Sequence, residues 1–127
     1  MAVLNSLRLL IAEQNSTLRD AFTIFFDGQD DIEVVGNAAD TQQALSLIEA
    51  LQPDIILIDS GLSPTNTPVF IGRLCDANPD TRIVVFASTF DETPAEKYLE
   101  AGAATTVVEG IFASDLLRTI QQVHYQG

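Results

Sequence analysis

One cysteine, one histidine and six basic residues are all that this 127-residue chain has of those kinds. The lone Cys75 has no partner for an intrachain disulfide, and no Cys/His cluster of metal-site spacing exists. With His124 as the single histidine, Ser-His-Asp, Cys-His and His-rich zinc chemistries have almost nothing to work with. Against the 6 basic residues stand 18 acidic ones, for a formal net charge of −12. Phosphate backbones and anionic lipid surfaces are held by basic faces, so neither nucleic acid nor membrane is an expected partner of this domain. No run of about 18 apolar residues is present, so no membrane span is expected. Met1 to Ser6 lack the charged start and long apolar core of a signal peptide, which makes a cytoplasmic location the default expectation. No Gly-x-Gly-x-x-Gly, P-loop or flavin-type phosphate loop follows the first apolar run, which argues against a nucleotide or flavin binder.

What the chain has is an ordinary globular composition, 46% hydrophobic and 19% charged, over one domain's length, residues 1–127. Short apolar runs alternate with amphipathic stretches. Leu7 to Ala12 reads as a first strand. Asn15 or Ser16 then caps a helix to about Phe26, with Asp20 in its first turn and Leu18, Phe22, Phe25 and Phe26 towards the core. Ile32 to Gly36 is a second strand. A helix capped by Asp40 or Thr41 follows and is stopped by Pro53. Ile55-Ile56-Leu57-Ile58 runs straight into Asp59, the pattern of a strand buried on both faces. A polar loop from Ser60 to Pro68 leads to a helix with Val69, Phe70, Ile71, Leu74 and Cys75, the last read as a small core side chain. Arg82 to Ala87 is a fourth strand, Thr93 to Ala101 a weakly amphipathic helix capped by Gly102, Thr105 to Val108 a fifth strand, and Ser114 to His124 a last helix. Strand and helix alternating five times dictate an α/β fold, a doubly wound parallel sheet with helices on both faces.

In such a sheet, ligands sit at the carboxyl ends of the strands. Those ends carry Glu13 and Gln14, Asp59, Ser88 and Thr89, and Glu109. An aspartate, a second carboxylate and a hydroxyl on one rim suggest a phosphoryl-accepting site. The carboxylates could hold a hard cation such as Mg²⁺, and Asp59 could attack phosphorus. A turn aspartate that merely caps the next segment is the plainer alternative.

Over essentially its whole length the chain resembles the receiver domains of two-component response regulators. The resemblance is carried by Leu9-Leu10-Ile11-Ala12-Glu13, Pro53-Asp54-Ile55-Ile56-Leu57-Ile58-Asp59, Val84-Val85-Phe86-Ala87-Ser88 and Leu99-Glu100-Ala101-Gly102-Ala103. It implies the flavodoxin-like strand order 2-1-3-4-5. It also implies a signalling protein, not an enzyme, that takes a phosphoryl group on Asp59 from a histidine kinase or phosphotransfer protein. Glu13, Asp59 and the Gly61 carbonyl match the Mg²⁺ ligands, and Ser88 matches the hydroxyl that meets the phosphoryl group and moves on switching. The face of the fourth helix, fifth strand and fifth helix, with Tyr98, Ile111, Phe112 and Tyr125, matches the one used for dimerisation or contact with an output domain. Ile111 and Phe112 can equally be core residues. The chain is most similar to receivers that precede a helix-turn-helix output domain, which would lie beyond Gly127.

Four positions depart from the family pattern. Gln14 stands where the second acid of the metal pair would be. Glu109 stands where the family has a lysine that pairs with the phosphoryl group. Thr106 stands where an aromatic residue usually swings with the switch hydroxyl, and Pro64 falls one residue later than the usual proline. Two charges about 4 Å apart interact by ~4 kcal/mol at an effective dielectric of 20, so the reversal at Glu109 is not mild. Two readings follow: a working receiver with weakened Mg²⁺ binding, or a pseudo-receiver that signals through protein contacts without phosphorylation. A small flavodoxin-like enzyme is a remote third; a haloacid-type phosphatase would need an aspartate where Gly61 stands.

Overall fold

The computed structural model describes residues 6–126. Met1–Asn5, read above as lacking signal-peptide features, and Gly127 lie outside the described residues. The elements are β1 (Leu7–Ala12), α1 (Ser16–Asp27), β2 (Ile32–Ala38), α2 (Thr41–Leu51), β3 (Ile55–Asp59), α3 (Thr67–Ala77), β4 (Arg82–Ala87), α4 (Ala95–Ala101), β5 (Thr105–Val108) and α5 (Ala113–Gln126). The five strands are parallel, in the expected order β2-β1-β3-β4-β5. β3 lies between β1 and β4, with Ala12 beside Ile58 and Phe86 beside Asp59. The third strand therefore delivers Asp59 to the middle of the carboxyl rim.

Alternation along the strands divides the core in two. Leu10, Ala12, Ile56, Ile58, Ile83 and Val85 face α2, α3 and α4, where Ala44, Ile48, Phe70, Ile71, Leu74 and Tyr98 meet them. Leu9, Ile11, Ile55, Leu57, Val84 and Phe86 face α1 and α5, packing on Phe26, Leu116 and Ile120. All five residues of β3 are buried, as a central parallel strand requires. Each fully buried Leu or Ile is worth roughly 1.5–3 kcal/mol, so the rim is carried on a rigid base.

Helix starts explain where the boundaries differ from expectation. Asn15 caps α1 by accepting the Leu18 N–H at 3.0 Å, and Asp40 caps α2 through the Gln43 N–H at 2.8 Å. Asp20 lies beyond the first turn of α1, which holds no acidic residue, so the expected charge at that helix end is not there. α3 begins at Thr67 because Asn66 caps it through Val69 N–H, and Pro68 sits in the first turn, where its missing N–H costs nothing. α4 begins at Ala95, not Thr93, since a residue before proline is pushed out of helical conformation. Gly102 closes α4 at φ 121°, and a Cβ there would come within 2.6 Å of the Cys75 sulfur. Cys75 is half-buried against that turn, as a small packed side chain.

Candidate functional site

Glu13 and Asp59 are brought together at the ends of two adjacent strands. β1 stops at Ala12, and the Glu13 N–H then bonds the Ala38 carbonyl at 2.9 Å, which turns the Glu13 side chain inward. It is 3% exposed and Asp59 is 8% exposed. Asp59 Oδ2 accepts hydrogen bonds from Gln14 Nε2 at 3.0 Å and from the Gly61 N–H at 2.7 Å. Gly61 eases this approach: a Cβ there would stand 3.0 Å from both Asp59 Oδ2 and Gln14 Nε2, and those side-chain ends would have to give.

Glu13 Oε1 accepts a long bond from the Asn15 N–H at 3.4 Å, while Oε2 is buried without a hydrogen-bond partner. Two facing carboxylates cannot satisfy each other unless a proton or cation lies between them. Burial, then the charge of Asp59, then a hydrogen bond to it push the Glu13 carboxyl up to about 8. The Asn15 N–H and the Arg19 charge oppose this rise. The Glu13 carboxyl is thus far easier to protonate than an exposed one. The same orphaned oxygen, with Asp59 and the Gly61 carbonyl, makes an oxygen-only donor set of the kind a hard divalent cation takes. Among the described residues, no group of three or more His, Cys, Asp or Glu side chains forms a metal cluster.

The other rim positions are placed differently. Ser88 Oγ accepts from the Phe90 N–H at 3.2 Å, and its own N–H donates to Ser60 Oγ at 3.1 Å, so its hydroxyl is turned to the loop after β4. Glu109 is exposed, and its Oε1 accepts from Thr89 Oγ1 at 3.0 Å. It does not join Glu13 and Asp59; solvation draws this carboxylate outward to a hydroxyl donor. Thr106 lines a cavity of about 220 Å³ beside Ala87, Ala95, Tyr98 and Val108. Tyr98, expected on an outer face, is 1% exposed, because α4 turns it into the sheet and leaves Leu99 outside. Phe112 and Tyr125 are exposed, whereas Ile111 packs partly against the core. The residue type at Ser60 gave no signal of its position beside Asp91 and Tyr98.

A model of the response regulator receiver domain matches residues 9–121. The chain belongs to that family. This receiver is 34% identical over 118 residues to the uncharacterized transcriptional regulatory protein YhcZ of Bacillus subtilis (strain 168), covering 93% of this chain and 55% of that protein. The receiver thus spans about half the length of the curated relatives it matches. Its fold is that of a LuxR-family two-component response regulator from Aurantimonas sp. SI85-9A1 (TM-score 0.87, 21% identity, covering 95% of this chain and 86% of that one). It is also that of the Borrelia burgdorferi complex of CheX and CheY with BeF3 and Mg²⁺ (TM-score 0.81, 17% identity, covering 92% and 88%). At such identities the likeness speaks for the receiver fold alone.

Proposed function

We propose that the whole chain is one receiver unit in which Asp59 accepts a phosphoryl group from a histidine kinase or phosphotransfer protein. One observation carries this: the Asp59 carboxylate stands at the rim's centre, held by Gln14 and Gly61, beside a Glu13 oxygen that lacks a partner. In the transfer an Asp59 oxygen attacks phosphorus, the bond to the donor's imidazole nitrogen breaks, and an acyl phosphate forms. Glu13, Asp59 and the Gly61 carbonyl are the groups that would hold Mg²⁺. Bound there, the cation would neutralise charge on the transferring group. Gln14, an amide in place of an acid, weakens that hold and instead donates to Asp59. The transcriptional relatives suggest that this domain acts on an output domain, and the exposed Leu99, Val108, Phe112 and Tyr125 are the contact surface we assign to it or to a second copy.

A second reading, phosphorylation-independent signalling, is favoured by Glu109, an anion where a cation would meet the phosphoryl group. Incubation with acetyl phosphate and Mg²⁺ separates the two. The expected result is the mass of one phosphoryl group on Asp59, labile to base and absent from Asp59→Asn. No incorporation into the chain would give the second reading the field.

A further inference from the structure

A series of buried and half-buried polar groups runs from the acceptor end of β3 to α4. Tyr98 is wholly buried although it carries a hydroxyl, and a buried phenol needs a partner. It donates to Asp91 Oδ2 in the loop between β4 and α4. Asp91 is held further by the Thr93 N–H at 2.9 Å, and Ser60 lines the same cavity as Asp91, Thr93 and Tyr98. Ser60 directly follows Asp59 and is itself buried. It is fixed on three sides: its N–H reaches the Phe86 carbonyl at 2.9 Å, its carbonyl accepts from Thr67 Oγ1 at 2.6 Å, and its Oγ accepts from the Ser88 N–H.

Ionisation agrees with this geometry. Burial works to raise the Asp91 carboxyl, but the bonds from Tyr98, Thr93 and Ser60 outweigh it and hold it below the usual carboxylate range. Burial first, and the bond to Asp91 second, push Tyr98 up to about 12. Donor and acceptor are thus neutral phenol and carboxylate, the charge-assisted combination that bonds most strongly. The pathway that the family resemblance implies is not assembled in the same way. Ser88 Oγ is engaged by the Phe90 N–H, and Thr106, with no aromatic ring to offer, lines with Ser88, Asp91 and Tyr98 a cavity that such a ring would fill.

We propose that Ser60, Asp91 and Tyr98 are positioning residues that carry the state of Asp59 to α4, in place of Ser88 and an aromatic side chain at position 106. The inference rests on Asp59 being the acceptor. A change at Asp59 moves the chain at Ser60, Asp91 follows the Ser60 hydroxyl, and Tyr98 carries α4 with it. α4 is only seven residues long and has no side-chain cap at its start, so its own bonds hold it weakly.

The test is hydrogen exchange of the α4 amides, with and without acetyl phosphate and Mg²⁺, in the parent chain, Asp59→Asn, Tyr98→Phe and the double variant. Tyr98→Phe removes one oxygen and keeps the ring; Asp91→Asn is a second cut in the same series. A change at Asp59, by phosphorylation or by Asp59→Asn, is expected to alter α4 exchange by about threefold or more. In Tyr98→Phe and Asp91→Asn that response is lost, while phosphoryl uptake, read as mass, stays within about twofold of the parent. An α4 that responds equally in both variants, or that is indifferent to Asp59→Asn, overturns the proposal. A parent chain that takes up no phosphoryl group overturns the acceptor reading instead, and the coupling is then decided by the Asp59→Asn arm.

Discussion

The rim has two halves that differ in kind. On the β1 and β3 side, Gln14 and Gly61 hold Asp59 by short bonds, Glu13 stands beside them, and both acids are buried. On the β4 and β5 side, Ser88 is half-buried and bonded to its own loop, Thr89 and Glu109 bond each other in the open, and a cavity lies beside Thr106. The half that would accept a phosphoryl group is preorganised. The half that would sense it has changed its chemistry, and a different set of residues, Ser60, Asp91 and Tyr98, lies between the acceptor and α4. Substitutions in the closed half should therefore act on stability and uptake, and those in the open half should matter little unless they restore a cation.

The largest effect belongs to Glu13. Its carboxyl is held at about 8 in the folded chain against an ordinary 4.5. Between those values the folded chain keeps a proton that the unfolded chain gives up, so stability is whole below about pH 4.5 and falls as the pH rises towards 8. A loss of about 3 kcal/mol is expected by chemical denaturation, allowing for solvent relaxation around the pair, and Glu13→Gln should flatten the profile. A parent profile already flat would mean that the closed half holds no such proton. Next comes Gln14→Asp with Glu109→Lys, which restores an acid to one half and a cation to the other. Roughly half of the ~4 kcal/mol contact value survives at an exposed site, so the initial rate of phosphoryl uptake should rise about 30-fold. No change would place Glu109 too far from the acceptor to matter.

Thr67→Val removes the 2.6 Å bond to the Ser60 carbonyl without altering shape. It should cost about 1 kcal/mol, a fall of roughly 4 °C in melting temperature by calorimetry. Smallest is Glu109→Gln, which loses only an exposed contact with Thr89 and should shift stability by under ~0.5 kcal/mol in the same measurement. A larger loss would show that the open half is as tightly built as the closed one.

The sheet was legible in the sequence because its signal is physical and local: β3 has aliphatic residues on both faces, and β4 and β5 end where their apolar runs do. Asp59 and Glu13 were legible for the same reason, since a strand's end fixes where its next residue lies. Glu109 and Tyr98 were not. The strand end brings Glu109 to the rim, but the direction of its side chain is set by Thr89, 20 residues away. Tyr98 depends on the rotation of a short helix whose start is displaced by Pro94, and no residue pattern within seven positions reports that rotation.

Gly102 gives the protein a built-in reporter. The one thiol in the chain lies beneath that turn, where α3 meets the end of α4, with its sulfur 3.9 Å from the carbonyls of both Ala101 and Gly102. Burial, and then the charge of Asp76, raise its pKa, so the reactive thiolate is scarce while the two helices stay together. The rate at which an uncharged thiol reagent labels Cys75 is therefore expected to rise where the two helices part, with no label engineered into the chain.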